Sequence, residues 1–422
     1  MSKKIKYGLI GNPLGQSYSP VLHKMFGDYD YQLCQLEKSE LLDFFRTPNF
    51  KGINVTIPYK EMVIPYLDEI DPLAKEIGAI NTIVKTGEKL IGYNTDILGL
   101  NALLEKNNIE IEAKKVLILG TGGTSKTAKV LCQKLKAKKV YLVSRVKSDD
   151  SISYAEAEKL KDIQVIINTT PVGMYGENID QSPISLDSFS NLEAVVDVIY
   201  NPLKTKLMFE AEKKGIKTCN GLYMLVMQAY YASQLFLKNK INLKTNDLQD
   251  EAYQRLLAQM ANIVLIGMPS SGKTTVGLKL AEITNRSFID TDHLIEEKEK
   301  MHPSKIIEKK GEAYFRAKET EVIKEVASQS GQIIATGGGS ILAKENQMAL
   351  QANSKIYFLD RALEELTPTK DRPLTASIED LEEKYQERYP IYQHLANEVI
   401  IVNDLADQLA EKIKEIHFND NI

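Results

Sequence analysis

Residues Gly267-Met-Pro-Ser-Ser-Gly-Lys-Thr-Thr275 carry the spacing G-x-x-x-x-G-K-T of a phosphate-cradling loop. In such a loop the backbone N–H groups of Gly267, Ser270, Ser271 and Gly272 face a polyphosphate. Lys273 reaches its outer oxygens, the Thr274 hydroxyl is a ligand for Mg2+, and Thr275 completes the turn. The chemistry this predicts is phosphoryl transfer from a nucleoside triphosphate. Asp290 and Asp292 follow on the next predicted strand end, Phe288 to Asp292. Two carboxylates two apart on a strand share a face, so one can support the metal while the other meets an acceptor hydroxyl. The blander expectation for Asp292 is a cap on a helix beginning at His293. Arg316, Arg372 and Arg388 recur in settings that suit anion ligands.

A second nucleotide signature lies well upstream. Gly120, Gly122, Gly123 and Thr124 follow the apolar run Lys115 to Leu119 and precede a helical stretch, Lys126 to Leu135. Glycines there let the chain turn sharply and bring a pyrophosphate to a helix N-terminus. At the end of the next strand, Lys139 to Val143, a NAD site carries an acid for the ribose hydroxyl. Here Ser144-Arg145-Val146-Lys147 stands instead, which favours the 2′-phosphate of NADP(H); the alternative is a solvated basic turn.

A third set precedes both. Ser17 and Ser19, two apart and read as extended, share a face at a helix start, with Ser19 as N-cap and Pro20 as first helical residue. A helix N-terminus with two hydroxyls suits a carboxylate. Lys60 and Asp96 are a candidate proton donor and its charged partner, and a surface ion pair is the plainer reading.

The elements that must position these residues read as α/β throughout, with mostly parallel sheets. At 422 residues the chain exceeds one core. We expect a substrate domain over 1–103, completed by helices in 222–240. A dinucleotide domain of Rossmann type follows over 104–221, then a linker and helix over 241–261. A phosphate-loop domain over 262–422 ends the chain, its parallel sheet flanked by helices. Net charge is −4 with both signs interspersed, so no nucleic-acid partner is expected. No apolar run is long enough to span a bilayer, and no signal segment is read at the N-terminus. Cys34, Cys132 and Cys219 lack C-x-x-C spacing and read as reduced, packed thiols of a cytoplasmic protein. Five histidines show no zinc spacing. The oligomeric state, monomer or homodimer, is left open.

Over residues 5 to about 237 the series S-x-S (Ser17, Ser19), N-V-T-x-P-x-K (Asn54 to Lys60), G-A-x-N-T (Gly78 to Thr82) and N-T-D (Asn94 to Asp96) resembles the shikimate dehydrogenase family. Asn168-Thr169-Thr170-Pro171, Asp197 to Pro202 and Gly221 to Gln228 continue the likeness. The resemblance implies NADPH-dependent reduction of 3-dehydroshikimate. It implies that Ser17 and Ser19 bind the substrate carboxylate and that Thr56, Asn81, Asp96 and Gln228 hold ring hydroxyls, with Tyr200 nearby. It also places Thr169, Met174 and Gly221 at the cofactor, and Lys60 fits the proton donor that ketone reduction requires. The family's N-R-T tripeptide stands here as Ser144-Arg145-Val146.

Residues 262 to 417 resemble shikimate kinase through D-x-D, G-E-x-x-F-R-x-x-E, G-G-G, R-P-L and R-x-P-x-Y. That likeness implies MgATP as phosphoryl donor. Asp292, Arg316, Gly338, Gly339 and Arg388 would hold shikimate, Asp290 with Thr274 the Mg2+, and Arg372 a lid over ATP. The segment before Arg372 is short for that lid, and Val402-Asn403-Asp404 departs from the family's adenine loop. Rival readings are an NAD-using quinate/shikimate dehydrogenase, a kinase of another polyol or nucleotide, or one half kept as a regulatory module without turnover.

Overall fold

The computed structural model describes residues 5–15, 17–146, 148–176, 178–238, 247–366 and 377–419. Two compact units emerge, Met1–Asn201 with Thr205–Tyr253, and Pro202–Lys204 with Gln254–Ile422. The predicted linker and helix over 241–261 begins outside the described residues, which resume with the helix Asp247–Met260.

The first unit contains two sheets. The strands β1 (Tyr7–Gly11), β2 (Gln32–Gln35), β3 (Gly52–Val55), β4 (Glu69–Ile70), β5 (Thr82–Thr86) and β6 (Lys89–Tyr93) form one sheet in the order β2-β1-β3-β5-β6-β4. It is parallel except where β5 runs against β3 and β6. The tight connection Thr86 to Lys89 explains that exception, because only antiparallel neighbours can be joined so briefly. A core of Ile10, Ile53, Val55, Tyr59 and Ile83 lies on this sheet.

The second sheet comprises β7 (Lys115–Leu119), β8 (Lys139–Val143), β9 (Val165–Asn168), β10 (Ala194–Asp197) and β11 (Lys217–Asn220), ordered β11-β10-β9-β7-β8. All its pairings are parallel. Val116 to Leu119 and all of β9 are buried, as expected when helices cover both faces. Chain direction across the sheet reverses between β7 and β9. That switch point, beyond the carboxyl ends of the strands, is where an open parallel sheet leaves a crevice for a ligand. Asp197 ends β10, in register with Asn168 of β9. Burial pushes its carboxyl up to about 6, while donors on Thr205, Ile199 and Asn168 work against that rise.

The second unit holds β12 (Asn262–Ile266), β13 (Phe288–Asp290), β14 (Ile333–Ala335), β15 (Ser354–Asp360) and β16 (Glu398–Ile401), ordered β13-β14-β12-β15-β16 and fully parallel. Helices pack on both faces over Val264, Ile266, Ile334 and Phe358 on one side and Ile263, Leu265, Tyr357 and Ile400 on the other.

Three local expectations are corrected. Ser19 is not the cap but the first residue of the helix Ser19–Phe26, after Tyr18 has already turned helical at φ −84° and ψ −3°. Ser17 and Ser19 are therefore brought together by a turn and not by an extended segment. The third strand-end reading also shifts. β13 stops at Asp290, which caps the helix Thr291–Glu299 by accepting from the N–H groups of Asp292 and His293. Asp292 sits inside that helix's first turn.

Candidate functional site: two nucleotide cavities and a polar cleft

In the first unit a cavity of about 210 Å³ is lined by Ser17, Ser19, Thr56, Lys60, Asn81, Asp96, Tyr200 and Gln228. Residues from six separate loops and helices thus converge on one small polar space, below the ~300 Å³ at which drug-sized pockets begin. Lys60 Nζ donates to Asp96 Oδ2 at 2.7 Å, with side chains only 16% and 10% exposed. Ser17 Oγ donates to Ser19 Oγ at 3.2 Å. The Asn81 amide is held from both ends: Oδ1 accepts from the Thr95 N–H at 2.7 Å, and Nδ2 donates to Thr95 Oγ1 at 3.0 Å. Burial raises the Tyr200 phenol above its ordinary range.

Sequence reasoning missed Asn54, which also lines this cavity. It is buried, accepts from the Tyr31 hydroxyl at 2.8 Å and donates to Thr82 Oγ1 at 3.0 Å. The signal was present: Asn54 lies two residues before Thr56, on the same face of the extended chain.

A groove of about 530 Å³ runs over the carboxyl ends of β7, β8 and β9, lined by Gly120, Gly122, Gly123, Thr124, Ser144, Arg145 and Thr169. Gly120 takes φ +108°, and a Cβ there would stand 2.8 Å from Thr169 Oγ1. At Gly122 an added Cβ would meet no atom within 4 Å. The loop is therefore a bare cradle at the mouth of the helix Gly123–Lys134, which fits a pyrophosphate. Arg145 is exposed at the groove's far end, beside Tyr154, a lining residue the sequence did not disclose. Burial pushes the Tyr154 phenol up, and Arg145 pulls it back. Lys60 and Thr124 line both the groove and the smaller cavity.

Two predicted cofactor residues fall elsewhere. Gly221 lines the smaller cavity instead, because its backbone packs so tightly on Val198 that a Cβ would come within 2.0 Å of the Val198 carbonyl oxygen. Met174 closes a turn onto Pro171, is 44% exposed and lies outside the groove lining. Lys147 lies outside the described residues.

In the second unit a cavity of about 660 Å³ is lined by Ser270, Ser271, Gly272, Lys273, Thr274, Thr275, Asp290, Asp292 and Gly338. Gly267 itself is beneath it: a Cβ there would stand 2.7 Å from the Leu359 carbonyl oxygen. Lys273 Nζ donates to the Gly267 and Met268 carbonyls at 2.9 and 2.8 Å. Thr274 Oγ1 donates to Asp290 Oδ2 at 2.7 Å. A hydroxyl and a carboxylate so paired beside a phosphate loop are the donor set that suits Mg2+.

Arg316, Gly339 and Arg388 do not line that cavity; Arg316 packs on Gly339, in the loop Gly337–Gly339. Side chains packed on this loop occupy every position a Cβ would take. Asp292 Oδ1 would be 2.6 Å from one on Gly337, Pro269 Cδ 2.8 Å from one on Gly338, and Arg316 Nη2 2.7 Å from one on Gly339. Arg316 is held by Glu319 at 2.8 Å and Glu312 at 3.2 Å. Burial opposes its charge, but those carboxylates outweigh burial and raise its pKa. Arg388 is only 4% exposed, and its Nε has no hydrogen-bond partner. One turn on, Tyr392 donates to the Gly338 carbonyl. Arg372 lies outside the described residues.

A dinucleotide crevice opening on a polar cleft, and a phosphate loop beside an arginine-lined glycine turn, define nucleotide-dependent enzymes. Residues 9–83 match the shikimate dehydrogenase substrate-binding domain family, and residues 269–417 match the shikimate kinase family. The NADP(+) shikimate dehydrogenase of Clostridium beijerinckii is 37% identical over 254 residues, 56% of this chain and 94% of that protein. That of Bacillus subtilis is 36% identical over 56% of this chain and 93% of its own length. Among solved structures, a chorismate mutase/shikimate 5-dehydrogenase fusion from Clostridium acetobutylicum superposes with a TM-score of 0.55 at 36% identity, covering 60% of this chain and 97% of that one. A Thermus thermophilus shikimate 5-dehydrogenase in complex with NADP(H) and shikimate gives 0.52 at 27% identity, covering 60% and 99%. The chain belongs to the shikimate dehydrogenase family and carries a shikimate kinase domain after it.

Proposed function

We propose that the first unit reduces 3-dehydroshikimate to shikimate with NADPH, and that the second phosphorylates shikimate at its 3-hydroxyl with MgATP. The observation that carries this reading is the place of Lys60, which lines both the polar cleft and the dinucleotide groove. NADPH bound in the groove supplies the hydride. Ser17 and Ser19 orient the ring through its carboxylate, and Asn81 and Gln228 hold hydroxyls. The Lys60 ammonium, steadied by Asp96, gives its proton to the carbonyl oxygen as that oxygen gains charge. Arg145 holds the 2′-phosphate.

In the second unit Arg388 supports an acidic acceptor. A buried guanidinium with an unused N–H is costly unless an anion completes it, and a ring carboxylate does so. Arg316, packed on Gly339, contributes a second guanidinium. Asp292 accepts the proton of the attacking hydroxyl, and the hydroxyl oxygen bonds to the γ-phosphorus as the bond to ADP breaks. Thr274 and Asp290 hold Mg2+, and Lys273 stabilises the charge on the transferring group.

The test is to supply the purified chain with 3-dehydroshikimate, NADPH and MgATP. Shikimate 3-phosphate is expected, with its formation dependent on each of the three. NADPH oxidation that ends at shikimate refutes the second half of the reading. Phosphorylation of added shikimate without ketone reduction refutes the first half.

A further inference from the structure

The phosphate-loop cavity contains a cation that no motif above uses. Arg361 directly follows β15, which pairs with β12 from Ser354 to Phe358, so it leaves the sheet beside the phosphate loop. Its side chain lines the cavity and is 33% exposed. Its Nε is buried and has no hydrogen-bond partner. Glu365 Oε2 stands 3.9 Å away, beyond hydrogen-bonding distance. A buried guanidinium N–H without an acceptor is destabilising on its own, so the geometry calls for an acceptor that arrives from the cavity. The charge of the lining points the same way. Asp290, Asp292, Glu296 and Asp404 face the cavity with Lys273 and Arg361, and the Lys273 ammonium already serves two loop carbonyls. A nucleoside triphosphate entering among those carboxylates needs a further cation, and a guanidinium fork matches phosphate oxygens.

We propose that Arg361 binds a β- or γ-phosphate oxygen of the nucleotide, releasing its loose association with Glu365 as it does so. This rests on the reading of the second unit as an ATP-dependent kinase. The test is calorimetric titration of the full chain and of its Arg361→Gln and Arg361→Lys variants with ATP, ADP and AMP, in the absence of shikimate. Losing one charge-assisted hydrogen bond is expected to weaken ATP binding about tenfold in Arg361→Gln. The lysine variant should fall between, and AMP affinity should stay unchanged. Ketone reduction and melting temperature serve as folding controls and should match the parent. Unchanged ATP affinity in Arg361→Gln overturns the proposal. An equal loss for AMP and ATP also overturns it, moving the contact to the α-phosphate, sugar or base. A parent chain that binds no ATP at all refutes the kinase reading and takes this proposal with it, and the parent titration alone reveals that outcome.

Discussion

Lys60 and Asp96 lie 36 residues apart in the chain, yet their charged groups meet at 2.7 Å where the polar cleft opens on the dinucleotide groove. A pair so placed can deliver a proton without waiting for solvent. We expect Lys60→Ala to lower kcat for 3-dehydroshikimate reduction by roughly 10²- to 10⁴-fold. NADPH affinity should change by no more than about twofold, because the groove's glycine cradle is untouched. Stopped-flow reduction with separate fluorescence titration of NADPH checks both. Near-normal turnover in this variant sinks the assignment of Lys60 as proton donor.

Arg145 is the described cation at the end of the groove where the ribose of a dinucleotide lies. Replacing it by glutamine should raise the KM for NADPH about tenfold, as expected for a lost charge-assisted phosphate contact, and leave that for NADH nearly unchanged. Steady-state kinetics with the two cofactors decides the matter. Parallel losses for both would show that Arg145 does not read the 2′-phosphate.

Arg388→Lys keeps a charge but loses the planar fork. The KM for shikimate in the kinase reaction should rise about 10- to 100-fold, while the KM for ATP and the whole dehydrogenase reaction stay as they were. A rise in ATP KM of the same size would place Arg388 at the nucleotide instead.

Asp290→Asn separates metal binding from folding. Asparagine is as good an N-cap as aspartate, so the helix Thr291–Glu299 should survive and melting should barely move. The carboxylate charge beside Thr274 is lost, so the Mg2+ needed for half-maximal phosphorylation should rise about tenfold. A magnesium titration that overlays the parent's would remove Asp290 from the metal site.

His417 should make the second unit sensitive to mild acid. Burial, reinforced by the nearby Arg286 charge, lowers its pKa to about 3. Its ring lies against Tyr357 Oη at 3.1 Å, the Ala258 carbonyl at 3.0 Å and Arg286 Nη1 at 3.3 Å. Because the folded pKa is depressed below the ordinary 6.5, the unfolded chain binds a proton that the folded one refuses. The stability contribution is complete above about pH 7 and is lost as pH falls from 6.5 towards 3, by at most about 1.4 kcal/mol per pH unit. Hydrogen exchange of β15, corrected for intrinsic rates, should accelerate between pH 7 and 5 in the parent. It should do so less steeply in His417→Gln. Equal slopes would mean that His417 does not carry the effect.

Much of the fold was legible in the residues. β7 and β8 run over the stretches read as strands, and β7 is apolar because a strand covered on both faces must be so along its length. The phosphate loop was legible because its glycines and lysine are required by backbone geometry at fixed spacing. Ends of elements were less so. Ser19 and Asp292 fall one and two residues deeper into a helix than expected, since which residue caps a helix depends on the preceding backbone. At Asp290 the cap was taken by a residue also suited to metal.

By itself the sequence determined the two nucleotide folds and the kinds of side chain available to each. Only the tertiary structure decided which of them meet. Gly221 packs on Val198 and lines the polar cleft, not the dinucleotide groove, and β3 carries Asn54 into the same cleft as Asp96. β15 brings Arg361, which belongs to no motif, to the phosphate loop. The physical reason is that spacing along a strand or helix sets the face a residue occupies. Contact between residues far apart in the chain is set by sheet order and by the packing of loops at the strand ends.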